Sequence, residues 1–121
     1  MKQTDRRDTR WFEGRFHLVV AAAALSAVVF IAGARAGDTQ IVQKDKAFSE
    51  QSLRIHVGDT VTFVNADTVT HNVYSVTKGC EFELQTQTPG NATAVPFPRA
   101  CMAQVQCAIH PKMKLRVEVA P

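Results

Sequence analysis

This 121-residue chain predicts an all-β fold, a Greek-key antiparallel β-sandwich preceded by an N-terminal signal peptide. Three observations carry that expectation. From Ile41 onward apolar and polar residues alternate, the period of a strand with one buried face. Turn signals recur at short spacing, at Gly58-Asp59, at Gly79 and at Pro89-Gly90-Asn91. Beyond the leader no amphipathic helical pattern is visible, and short strands separated by turns argue for a sandwich.

The first 36 residues stand apart in composition. Residues 1–17 carry Lys2, Arg6, Arg7, Arg10 and Arg15, residues 18–34 carry no charge, and Ala34-Arg35-Ala36 follows. A basic region, an apolar core and an A-x-A site form a secretory signal peptide. Cleavage after Ala36 leaves residues 37–121 as one domain in the periplasm. The alternative is a retained anchor, since 17 apolar residues stand at the lower edge of a membrane-spanning helix. Arg6-Arg7 is only a weak twin-arginine signal, because Asp8-Thr9-Arg10 follows where an apolar residue is wanted.

The leader also explains the basic charge. It holds six Lys/Arg and three Asp/Glu, the whole of the net charge of +3, and residues 37–121 hold eight of each. A near-neutral domain has no basic footprint for nucleic acid.

Taken in order, residues 37–46 read as a polar lead-in. Leu53, Ile55 and Val57 then point to one face, with Arg54 and His56 on the other. After the turn at Gly58-Asp59, Val61 and Phe63 resume the inward face. Residues 69–76, rich in β-branched and aromatic side chains, read as a strand around His71. Residues 92–97 form a short strand whose Pro96 places it at a sheet edge. Ala103 and Val105 alternate into Cys107. Beyond the next loop Met113, Leu115, Val117 and Val119 face inward. An 85-residue domain buries a limited core, so a metal and a disulfide are natural additional constraints.

The loop 107–113 carries the chemistry. Cys107, His110 and Met113 follow the pattern C-x2-H-x2-M, which lets one loop aim a thiol, an imidazole and a thioether at a single point. Two His, one Cys and a weak axial Met make an electron-transfer copper site. The second imidazole must come from elsewhere. His56 lies on the outward face of its strand, whereas His71 follows a polar turn at Asn65-Ala66-Asp67 and enters a strand. His71 is therefore the expected fourth ligand.

The stretch Val57-Gly58-Asp59-Thr60-Val61-Thr62-Phe63-Val64-Asn65, then His71-Asn72-Val73, Phe97 and the loop 107–113 resemble the cupredoxins, the small blue copper proteins. Within the plastocyanin–pseudoazurin group the resemblance is greatest to the amicyanins, which share the two-residue gap between His110 and Met113. It covers nearly all of residues 37–121. It implies one copper ion held by His71, Cys107 and His110 in a plane, with Met113 as the axial ligand. It also implies that the Asn72 N–H bonds the cysteine sulfur, that Asn65 fixes the loops through its side chain, and that His110 lies nearest the surface in an apolar patch. Pro111 is shared with the amicyanins and stiffens the loop.

Two departures from these relatives stand out. Ile109 occupies a position that is proline in amicyanin and plastocyanin. Proline has no N–H, so Ile109 is expected to donate a second hydrogen bond to the sulfur and to raise the reduction potential relative to an Ile109→Pro variant. Cys80 and Cys101 are the second departure. With Cys107 assigned to copper, these two can pair in an oxidising compartment; two separate thiols are the alternative.

The function expected is a one-electron carrier rather than an enzyme, monomeric and working between exported redox proteins. A periplasmic dehydrogenase, by resemblance one like methylamine dehydrogenase, is the natural donor and a c-type cytochrome the natural acceptor. Membrane contact is expected only if the leader is retained. A periplasmic copper storage or delivery module is the alternative, although the chain lacks the Met- or His-rich tracts of metal handling. A zinc enzyme built on His71, Cys107 and His110 would leave Met113 unexplained and has no general base beside it.

Overall fold

The computed structural model describes residues 35–121. The leader expected over residues 1–36 thus lies, except for Arg35 and Ala36, outside the described residues. Among the described residues there is no helix, and none that could cross a membrane.

Nine strands form two sheets. They are β1 (Asp38–Lys44), β2 (Ala47–Phe48), β3 (Ser52–His56), β4 (Thr60–Asn65), β5 (Val73–Ser75), β6 (Phe82–Glu83), β7 (Ala92–Pro96), β8 (Cys101–Cys107) and β9 (Lys114–Ala120). One sheet has the order β2-β1-β4-β7 and the other β3-β9-β8-β5-β6. The all-β sandwich is as expected, but its pairing is mixed rather than antiparallel throughout. β1 runs parallel to β4 and β3 parallel to β9, because each pair is joined by a segment that passes through the opposite sheet.

Alternation sets the faces. β4 buries Val61, Phe63 and Asn65, β8 buries Ala103, Val105 and Cys107, and β9 buries Leu115, Val117 and Val119. Between the sheets Phe48, Phe63, Phe82 and Phe97 form a chain of ring contacts at 6.2, 5.9 and 6.0 Å between successive centroids. Aromatic rings stack or meet edge to face over this range and add to the burial of their area. β7 lies at a sheet edge, where Pro96 removes no interior ladder bond.

Three local expectations need correction. The polar lead-in is strand β1, which buries Ile41 and Gln43 and pairs with β4 along its length. Val57 does not join Leu53 and Ile55 inside. β3 ends at His56, and Val57 is 42% exposed at the turn. The strand expected over residues 69–76 is reduced to β5, and Val76 lies outside it in solvent. Residues 69–72 are instead held by the Asn65 side chain at Val69 and by backbone bonds at His71 and Asn72.

Cys80 and Cys101 form a disulfide, with Cα atoms 6.5 Å apart. It ties the turn between β5 and β6 to the start of β8, at the opposite end of that strand from Cys107.

Candidate metal centre

The site is assembled from two segments that sequence alone separates by 36 residues. Cys107 is the last residue of β8, so the sheet fixes its Cα, and Val73 opposite it in β5 fixes the approach of the second segment. His71 stands two residues before β5. Its backbone is held by a two-bond bridge to Gln87, with His71 N–H to Gln87 O at 3.0 Å and Gln87 N–H to His71 O at 2.8 Å. The chain beyond Cys107 turns back at once: the Ala108 N–H donates to Asn72 O at 2.9 Å and the Met113 N–H to His110 O at 3.0 Å.

These constraints bring three donor atoms together. His71 Nδ1 lies 3.1 Å from His110 Nδ1, and Cys107 Sγ lies 3.7 and 3.8 Å from the two nitrogens. The circle through these atoms has a radius of about 2.1 Å, the length of a metal–nitrogen bond and just under a metal–thiolate bond of about 2.3 Å. The donor set therefore fits one ion in or near the plane of the three atoms. The imidazole rings meet edge to face, with centroids 4.8 Å apart. His71 is fully buried, Cys107 is buried, and His110 is partly open.

The surroundings prepare these atoms as ligands. Asp67 Oδ2 lies 3.1 Å from His71 Nε2. An ionised carboxylate only accepts, so the proton sits on Nε2 and Nδ1 keeps its lone pair for the ion. Asp67 is held ionised, its pKa lowered from the usual carboxylate value first by the Lys46 N–H at 2.8 Å and further by Thr68 and His71, against the opposing effect of burial. His110 is pushed below the usual imidazole range, first by burial and then by the charges of His71 and Lys46. Its neutral, ligating form thus persists to lower pH.

Asn65 and Asn72 brace the two segments. Asn65, fully buried, donates from Nδ2 to Val69 O and Gln87 O at 2.9 Å each, and its Oδ1 accepts the Asp67 N–H at 2.9 Å. The Asn72 N–H points at Cys107 Sγ, 3.5 Å away. Ile109 makes no such bond to the sulfur. With half its surface exposed, its contribution is an apolar side chain facing solvent. The raised potential expected from an Ile109 N–H therefore finds no hydrogen bond to the sulfur to rest on among the described residues. Pro111 is exposed, while Met113 is buried at 1% exposure. His56 is exposed and is not part of this cluster, its imidazole lying 4.0 Å from Asp59.

Sequence reasoning missed Asp67 as a partner of His71. The signal was present as an acidic residue four positions before the histidine, but a polar turn explains Asp67 equally well. Gln87 was missed too, because nothing in a lone glutamine marks it as bracketing a ligand.

A β-sandwich with a His–Cys–His cluster at one end of its sheets defines a small copper-binding protein. The family model for copper-binding proteins of the plastocyanin/azurin family matches residues 36–120, and the chain belongs to that family. Its cofactor is copper, in keeping with the soft and borderline donor set. The methylamine utilization protein MauL of Methylorubrum extorquens is 26% identical over 104 residues, covering 85% of this chain and 91% of that protein. Among solved structures, a purple cupredoxin from Nitrosopumilus maritimus is similar with a TM-score of 0.61 and 26% identity, over 69% of this chain and all of that one. A Cu(I) form of an amicyanin variant is similar to the same degree, at a TM-score of 0.61 and 26% identity, over 68% of this chain and 81% of that one.

Proposed function

We propose that this protein is an exported one-electron carrier whose His71, Cys107, His110 and Met113 would hold one copper ion. The observation that carries the reading is the triangle of Nδ1, Nδ1 and Sγ, held beside the start of β5 and the end of β8. Copper bound there would accept one electron from a donor and pass one to an acceptor, cycling between Cu(II) and Cu(I). Those two states prefer different geometries, so donors held by a packed sandwich limit rearrangement at each transfer. The chain's own part is to fix the donors, exclude water from Cys107 and His71, and leave one edge accessible. That edge is His110, which lines a shallow cleft of about 380 Å³ with Asp45, Lys46, Ile109, Pro111 and Lys112.

In this reading residues 1–36 are a leader removed after Ala36, and the monomeric domain works in the periplasm. Its donor is a dehydrogenase, and one acting on methylamine is the first to try, since a relative is named for methylamine utilization. Its acceptor is a c-type cytochrome.

The test is to add Cu(II) to the purified protein and record its visible spectrum. Strong thiolate-to-copper absorption that disappears in Cys107→Ser is expected. A colourless protein, or one whose colour survives that substitution, would overturn the ligand assignment. Mixing the reduced and oxidised forms with a c-type cytochrome then separates a carrier from a storage module: a carrier equilibrates electrons without losing its copper.

A further inference from the structure

Two glutamines lie wholly inside the sandwich. Gln43 of β1 is 0% exposed, and Gln87, between β6 and β7, is 1% exposed. Gln43 Nε2 donates to Gln87 Oε1 at 2.8 Å, and Gln87 Nε2 donates to Thr93 Oγ1 at 3.1 Å and Phe63 O at 3.4 Å. Gln43 Oε1 meets no donor among the described residues. Exchanging a buried hydrogen-bonded pair for apolar groups of similar shape is often neutral or stabilising. The fold therefore gains little from having amides here rather than two leucines.

What the pair does hold is the backbone of residue 87. Gln87 makes both hydrogen bonds of the bridge to His71, and its carbonyl also accepts from Asn65. His71 lies outside every strand, so no ladder fixes it from its own segment. Among the described residues the bridge is its only backbone attachment to a neighbouring segment, and the bridge is as firm as residue 87. The side chain of Gln87 is clamped between β1 through Gln43, β4 through Phe63 and β7 through Thr93.

We propose that Gln87, locked by Gln43, is a positioning residue for His71: the buried amide pair transmits the rigidity of the four-stranded sheet to one copper ligand. This rests on His71 being a ligand. The other imidazole, His110, is fixed by its own short loop. The two histidines are thus held by independent devices, one reaching into each sheet.

The test is the double variant Gln43→Leu/Gln87→Leu, which removes both amides together, so that neither is left buried without the other, at the loss of one donor to Thr93 Oγ1 and Phe63 O. Its unfolding midpoint is expected to match or exceed that of the unsubstituted protein. In the copper-free protein, amide hydrogen exchange at His71 and Gln87 is expected to accelerate at least tenfold, while exchange in β8 and β9 stays unchanged. With copper bound, the hyperfine coupling and the absorption maxima are expected to shift and broaden, and the reduction potential to move. The single variant Gln43→Met, which keeps the bonds from Gln87 to Thr93 and Phe63, should show the same changes in smaller measure, and it serves if the double variant does not fold. Unchanged exchange at His71 together with an unchanged copper spectrum would overturn the proposal. Retention of the copper spectrum in His71→Ala would instead overturn the ligand reading, and with it the assignment of Gln87.

Discussion

Asp67 gathers more of the site's organisation than any residue apart from the donors themselves. Its carboxylate accepts from Lys46, Thr68 and His71 at once, so one side chain ties the β1–β2 turn to a buried imidazole. Removing such an outer partner of a metal-binding histidine costs about 10–100-fold in metal affinity. Asp67→Ala is expected to weaken copper binding by that factor in competition against a chelator of known affinity. Asp67→Asn should be milder, because an amide oxygen still accepts from Nε2–H. An Asp67→Ala protein with unchanged affinity would show that packing alone orients His71. At this scale the residues with distinctive chemistry were legible from spacing: Cys107, His110 and Met113 stand within one short loop. The residues that orient them were not. Asp67, Gln43 and Gln87 are ordinary polar residues, and only the fold reveals what each one touches.

Among the elements, the turn joining β3 to β4 holds the far end of the sandwich through Asp59. Oδ1 accepts the Gly37 N–H at 2.7 Å, and Oδ2 accepts the His56 N–H at 2.8 Å. The carboxyl is held below the usual range first by the His56 amide, then by that of Gly37, with the charge of His56 a lesser cause. A carboxyl with a lowered folded pKa contributes stability that is complete above the unfolded value of about 3.9. That contribution is lost as pH falls through the folded value. Asp59→Ala should thus be less stable than the unsubstituted protein at pH 7, and the gap should close as both are acidified below the ordinary carboxylate range. Urea denaturation across that range measures it; a gap independent of pH would mean that the charge of Asp59 plays no part. The strands on either side were largely legible. β4, β8 and β9 alternate cleanly because each has one face on the core. β5 was overextended because Val69 and Val76 have strand propensity, yet neither finds a pairing partner. The parallel pairings of β1 with β4 and β3 with β9 left no trace in the sequence, since periodicity reports faces and not neighbours.

Across the whole molecule, the disulfide and the metal centre occupy opposite ends of β8. The Cys80–Cys101 bridge spans a sequence separation of 21 residues, a loop whose closure is worth about 3 kcal/mol in the chain-entropy model. Reducing it in the copper-free protein should lower the unfolding free energy by about that amount, read from guanidinium titrations with and without reductant. The Cu(II) spectrum should survive loss of the bridge in a Cys80→Ser/Cys101→Ser variant, where no reductant is present to bleach the copper, because the bridge lies six residues along the strand from Cys107. No change in the midpoint on reduction would show that residual contacts already restrict the unfolded chain as much as the bridge does.

The length of β8 also bears on how the chain sorts three thiols as it oxidises. Any two of Cys80, Cys101 and Cys107 could join while the chain is open, and two of the three products would consume the thiol that copper needs. Once β8 forms, six residues at about 3.3 Å each hold Cys101 and Cys107 some 20 Å apart. Only Cys101 then remains within reach of Cys80. The strand acts as a ruler that rejects the wrong partner, so correct oxidation follows folding, and copper finds its sulfur unspent.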